Sequence, residues 1–107
     1  KIEIEENVKN VGVLMEYRQH IYLIMKEAIN NLVKYSECTD ADISVSFHSP
    51  LLTIAIKDNG KGYDLNQITY GNGLNSMKNR AKEMDAQLVM LSEINEGTTI
   101  MLAVKIG

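Results

Sequence analysis

Along KEAINNLVKYS, Lys26 to Ser36, a carboxylate, an amide and an ammonium recur at short intervals. At about 100° per residue a helix brings Glu27, Asn31 and Lys34 within about 60° of one another, at the rim of an apolar arc centred near Ala28 and Leu32. Glu27 can orient a water or take a proton, the Asn31 amide oxygen can ligate a hard cation, and Lys34 can neutralise phosphate. Such a line suits a magnesium nucleotide; it also suits an ordinary solvated helix face. Further on, KDNGKGY, Lys57 to Tyr63, follows the apolar run LLTIAI. Asp58, at the end of a strand that reads as buried, can accept a hydrogen bond from an exocyclic amine such as that of adenine. Gly60 and Gly62 let the backbone approach a flat base closely. Asn-Gly is also common in tight hairpin turns, yet no strand pattern returns after Tyr63.

Two more stretches carry the same ambiguity. In GNGLNSMKNRA, Gly71 to Ala81, glycines run straight into a helical pattern, and the exposed N–H groups and dipole of such a junction suit phosphate. A flexible loop before a capped helix reads the same way. Gly71-Asn72-Gly73-Leu74-Asn75-Ser76 lacks the third glycine of a dinucleotide fingerprint and no strand leads into it. The phosphate-loop pattern GxxxxGK[ST] is absent. EGTTI, Glu96 to Ile100, is a glycine turn followed by β-branched residues, the usual signature of a hairpin.

The elements that must position these residues follow from periodicity. Lys1 to Glu6 alternates apolar and charged residues and predicts a short edge strand. From about Glu16 to Glu37, Ile21, Ile24, Met25, Ala28, Ile29, Leu32 and Val33 recur at helical spacing, the strongest helix signal in the chain. Asp42 to His48 and Leu51 to Lys57 predict a hairpin around Ser49-Pro50. Asp58 to Asn72 predicts a loop, Leu74 to Met84 a helix, and Gln87 to Glu93 with Thr98 to Lys105 a second hairpin around Asn95-Glu96-Gly97. This order predicts an α+β fold: a two-layer sandwich with helices on one face of a mixed, mostly antiparallel sheet.

Bulk properties bound the function. A chain of 107 residues, 45% hydrophobic, suits one domain spanning residues 1–107. No apolar run approaches the roughly 20 residues a bilayer crossing needs, and no direct membrane contact is expected. Cys38 is the single cysteine, and with His20 and His48 it offers no metal-ligand spacing. These features fit a reduced, cytoplasmic setting. A net charge of −3 provides no basic field for a phosphate backbone, so no nucleic-acid partner is expected.

Taken in order, the four segments resemble the ATP-binding domain of two-component sensor histidine kinases, within the GHKL superfamily of ATPases. KEAINNLVKYS resembles the N box, DNGKG and GNGL the two glycine boxes, and EGT the strand turn that completes the adenine pocket. The likeness runs from about Glu16 to the end. LNSMKNRA, with no phenylalanine-bearing lid box, is most similar to the short-lid branch.

The resemblance implies the Bergerat-type ATP-binding fold and a set of roles. Asn31 would bind Mg2+, Lys34 would contact phosphates, and Glu27 would help position or deprotonate in phosphoryl transfer. Tyr35 would flank the nucleotide, Asp58 would accept from the adenine amine, and Gly60 and Gly62 would shape that pocket. Gly71, Gly73 and Leu74 would hinge a lid, mobile without nucleotide, and Thr98 would support adenine with Asp58 through a water. The chain departs from the pattern at Met84-Asp85-Ala86, where relatives commonly carry a leucine and two glycines, and at Asn95-Glu96-Gly97, which lacks a preceding proline-glycine. Both are turn positions, and the pocket is expected to survive.

The implied activity is transfer of the ATP γ-phosphoryl group to a histidine on a separate dimerisation domain of the same parent protein, which would then serve a response regulator. The chain is thus expected to be a fragment of a longer bacterial sensor, membrane-anchored or not, and unable to label itself. His20, inside the long helix on another face from Glu27 and Asn31, is read as structural. Alternatives are a GHKL anti-sigma-factor serine kinase and a nucleotide-binding module without transfer.

Overall fold

The computed structural model describes residues 2–5, 12–33, 40–62 and 74–106, with Leu74 as backbone only. The elements are β1 (Ile2–Ile4), α1 (Met15–Asn31), β2 (Ala41–His48), β3 (Leu51–Asp58), α2 (Leu74–Glu83), β4 (Gln87–Glu93) and β5 (Gly97–Lys105). They match the expected order, with boundaries shifted by a residue or two at most of the ends. The long helix departs most: beyond Asn31 it widens into a π turn at Leu32 and Val33. The expected continuation to Glu37 lies outside the described residues, as does Tyr63 to Asn72, where the resemblance implies a lid.

The five strands form one sheet in the order β1-β2-β3-β5-β4. Only the β1–β2 pair is parallel; the other three pairs are antiparallel. Because directly paired residues project to the same face, the register stacks side chains into rows. Ile43, Ile56, Ile100 and Met90 form one row, and Val45, Ile54, Leu102 and Leu88 the next. These rows meet the helices. Ile24 and Ala28 of α1 and Met77 and Ala81 of α2, with Met84 just beyond it, join Ile56, Ile100, Leu102 and Val104 in one buried cluster.

The alternate residues of the same strands point away from the helices, and Val89, Leu91 and Met101 on that side are exposed. Both helices therefore lie on one face, as the strict alternation of β3 and β5 requires. Each of the large aliphatic side chains in the cluster contributes about 1.5 to 3 kcal/mol by leaving water. That packing locks the register of β3 against β5, and with it the placement of everything at the strand ends.

The loop after α2 resolves one departure from the family pattern. Ala86 N–H donates to Ala81 C=O (2.8 Å) and Asp85 N–H to Lys82 C=O (3.0 Å). Asp85 adopts φ 51°, so the helix closes with a left-handed residue at the position glycine usually takes. Aspartate tolerates that conformation better than most residues, and α2 delivers the chain into β4 without it.

Candidate functional site: a polar row at the end of the sheet

One step beyond the apolar rows the chemistry changes. Ala41, Asp58, Thr98 and Ser92 form the next row across β2, β3, β5 and β4, on the face that carries the helices. Asp58 and Thr98 are 7% and 6% exposed, and Asn31, at the end of α1, is 9% exposed. Among the described residues these three are the buried polar or charged side chains. They converge on one recess with Ala28, Leu32, Ile56, Met90 and Ile100, so the polar groups sit at the rim of an apolar floor.

The recess offers about 20 Å³. That suits one water or one exocyclic substituent, since a site of roughly 10 to 15 Å³ with two to four polar partners holds a water. A whole ring does not fit inside; a base would lie across the mouth and send a substituent in.

Local backbone chemistry sets the rim. Gly60 N–H donates to Asp58 Oδ1 at 2.8 Å, a buried bond that turns the chain sharply out of β3. Asn59 N–H donates to Asp40 C=O (3.2 Å), and Asp40 N–H donates back to Asn59 Oδ1 (3.0 Å). This reciprocal pair clamps the end of the β2–β3 hairpin and leaves Asp58 on the inner face. Asn95 N–H then donates to Lys61 C=O at 2.6 Å, tying the loop to the β4–β5 turn.

Two glycines make that junction possible. Gly62 has φ 64°, and a Cβ there would fall onto the carbonyl of Glu93; Gly97 has φ 97°, and a Cβ there would fall onto the carbonyl of Asp58. Each is required twice over, by conformation and by close backbone approach. At the far end of the row, Ser92 Oγ donates to Gly97 C=O (3.2 Å) and lies 2.8 Å from Thr98 Oγ1.

On the same turn, Glu96 is hydrogen-bonded to Glu93, and its carboxyl is held above the ordinary value of 4.5 by that bond, by the Glu93 charge and, least, by burial. Glu96 lies on the exposed side of the turn, so its effect is on local charge rather than on the buried row.

Of the residues singled out in the sequence, the structure brings Asn31, Asp58 and Thr98 to one recess. Gly60 is buried beside Asp58, and Gly62 seats the loop against β4. Glu27 is half-buried, one turn before Asn31 on α1. Leu74 opens α2, with no side-chain position described, and Lys34, Tyr35, Gly71 and Gly73 lie outside the described residues. His20 is half-buried, with its Nδ1 enclosed.

Three contributors escape sequence reasoning: Ser92, Asn59 and the close approach of Gly97. Ser92 did leave a signal. The alternation of QLVMLSE puts it on the inward face with Leu88 and Met90, and a hydroxyl at a core position is an anomaly to be explained.

Residues 16–107 match the family model described as histidine kinase-, DNA gyrase B- and HSP90-like ATPase. The chain belongs to this ATPase family. The matched span contains every residue singled out above, and membership of this family implies the use of ATP. Among curated proteins the chain is 29% identical over 106 residues to the sensor histidine kinase LiaS of Bacillus subtilis, covering 98% of this chain and 29% of LiaS. It is 30% identical over 103 residues to the signal transduction histidine-protein kinase/phosphatase DegS of Brevibacillus brevis, covering 92% of this chain and 27% of DegS. The chain thus spans under a third of the length of these relatives.

Among solved structures, the blue-light activated histidine kinase of Erythrobacter litoralis superposes with a TM-score of 0.83 at 16% identity, over 99% of this chain and 34% of that one. The histidine kinase AdeS of Acinetobacter baumannii gives 0.72 at 16% identity, over 84% and 47%. At such identities the agreement is one of fold: the α+β sandwich expected of the ATPase family. No helix among the described residues is long and apolar enough to cross a membrane.

Proposed function

We propose that this chain is the catalytic, ATP-binding domain of a sensor histidine kinase, a single domain within a longer parent protein. The observation that carries the reading is the buried Asp58–Thr98 pair opposite Asn31, on an apolar floor at the mouth of which a base can lie. An ionised carboxylate only accepts hydrogen bonds, so Asp58 reads a donor, and the exocyclic amine of adenine supplies one. Ile56, Met90, Ile100 and Leu32 provide the apolar surface beneath it. The names of LiaS and DegS favour the same assignment, since both are histidine kinases.

The donor set also fits Mg2+. Asn31 would present its amide oxygen, a hard ligand, and the ion would otherwise be held by phosphates and water. When bound, the ion offsets charge on the phosphates. Glu27, one turn before Asn31, would orient or deprotonate the attacking group. Lys34 would contact phosphates, Tyr35 would flank the nucleotide, and Gly71, Gly73 and Leu74 would present backbone to the phosphates. In the proposed reaction the bond from the γ-phosphorus to the ADP oxygen breaks, and a bond to an imidazole nitrogen of the acceptor histidine forms. ADP leaves with the charge, and the imidazole proton passes to a base. Positioning does most of the work in such transfers.

The proposed partners are a dimerisation domain bearing that histidine and, through the parent, a response regulator. Calorimetric titration with magnesium-ATP, followed by transfer from labelled ATP to a supplied dimerisation domain of a related kinase, tests the reading. Heat on titration and acid-labile, base-stable label on the acceptor are expected. Absence of heat and of thermal stabilisation at millimolar nucleotide would overturn ATP binding. Label on serine would overturn the assignment to histidine.

A further inference from the structure

We infer that Ser92 is a positioning residue that fixes the direction of the Thr98 hydroxyl and thereby makes the recess select a purine carrying a 6-amino group. The inference deepens the proposed ATP-binding reading and rests on it.

Ser92 Oγ lies 3.2 Å from Gly97 C=O, and a carbonyl oxygen can only accept. The single Ser92 hydroxyl proton is therefore used in that bond. Ser92 Oγ also lies 2.8 Å from Thr98 Oγ1. With the serine proton spent on Gly97, the proton between the two hydroxyls has to come from Thr98. Thr98 then donates toward β4 and turns its lone pairs toward the recess that it shares with Asp58.

The consequence is a rim of uniform polarity. The Asp58 carboxylate accepts, and Thr98, with its proton committed to Ser92, accepts as well. A hydroxyl left to rotate would present a donor or an acceptor at will and read nothing. The recess can be satisfied in two ways. An amine can enter and donate directly, or a water can donate both protons inward and offer its lone pairs outward to an amine. Both end in a demand for a donor at the mouth. A purine without the 6-amino group brings no donor to that rim of acceptors, and such a mismatch discriminates strongly.

The geometry that holds Ser92 in place is independent of any ligand. Ser92 is the direct cross-strand partner of Thr98, and its neighbour Glu93 pairs with Gly97. Its donation to Gly97 C=O also braces the turn whose close approach to Asp58 depends on a missing Cβ. One side chain therefore links the strand turn to the direction of the Thr98 proton.

The test compares ATP with purine riboside triphosphate, which differs only in lacking the amine, by calorimetric titration of the chain and its variants. The unmodified chain should prefer ATP. In Ser92→Ala that preference should fall by about 3-fold to 10-fold, the range of one net hydrogen bond, with the loss falling on ATP and little change for the analogue. Ser92→Thr, which keeps the hydroxyl, should restore the preference. In a Thr98→Val background Ser92→Ala should have no further effect on the ratio, because the oxygen it orients is gone. Ser92→Val, a strand-favouring side chain without a hydroxyl, reads the same ratio if Ser92→Ala does not fold.

An ATP preference unchanged in Ser92→Ala or in Ser92→Val would overturn the inference while leaving ATP binding intact. So would an equal loss for ATP and analogue, which is what a merely structural role would give. Failure of the unmodified chain to bind ATP at all would overturn the underlying reading instead.

Discussion

Asp58 and Thr98 are direct partners across β3 and β5, both on the helix-bearing face and both more than nine-tenths buried. Their row follows immediately on the apolar row Ile43, Ile56, Ile100 and Met90. A carboxylate at the next inward position of a core strand is costly unless its acceptors are met. The Gly60 N–H meets part of that demand, and the recess beside the pair is where a ligand donor would meet more.

Asp58→Asn keeps the shape and replaces an acceptor oxygen with a donor. Loss of one charge-assisted hydrogen bond costs about 1.5 to 3 kcal/mol, so ATP affinity should fall roughly 10-fold to 150-fold. Titration with magnesium-ATP checks this, and affinity equal to that of the unmodified chain would remove Asp58 from the base-reading role.

Asn31→Ala removes a cation ligand while leaving Asp58 and Thr98 in place. Magnesium-dependent affinity and nearly all transfer to a supplied histidine domain should be lost, whereas magnesium-free nucleotide still binds measurably. Transfer at the unmodified rate in the reconstituted assay would contradict the assignment.

Gly97→Ala places a Cβ against the Asp58 carbonyl at a backbone φ of 97°. Substitution of alanine at a left-handed glycine costs more than about 1 kcal/mol, and for a domain of this size each kcal/mol lowers the melting temperature by about 4 to 8 °C. A melting curve and an ATP titration should therefore both shift. Gly12, ahead of α1, whose added Cβ would meet nothing within 4 Å, is the control, and its alanine variant should melt close to the unmodified chain.

Glu96→Gln tests the exposed carboxylate pair. Because the folded-state pKa of Glu96 is raised above 4.5 by Glu93, the folded protein holds that proton more tightly than the unfolded chain. Stability from this group therefore rises as pH falls through the raised value toward 4.5, and is lost above it. Removing the charge should raise the melting temperature slightly at neutral pH and change it less near pH 4.5. A larger gain at the acidic end would show the sign to be wrong.

Much of this architecture was legible in the chain itself. The helical spacing from Ile21 to Val33 and the apolar run LLTIAI between Ser49-Pro50 and Asn59-Gly60 announced their elements, because helical periodicity and a short apolar stretch bounded by turn residues are local properties of the chain. The spacing of Glu27 and Asn31, and the motif around Asp58, Gly60 and Gly62, present residue types fit for a nucleotide on chemistry alone.

Tertiary structure alone decided how those residues meet. Asp58 and Thr98 are 40 positions apart in sequence, and only the β3–β5 register makes them neighbours. That register depends on packing Ile56, Ile100 and Leu102 under both helices, a cooperative choice no single segment makes. The interlock of Gly62 with Glu93 and of Gly97 with Asp58, and the proton direction from Thr98 through Ser92 to Gly97, arise the same way. They are distances between backbones brought together by the sheet, and a sequence records the residues that permit such contacts without recording the contacts.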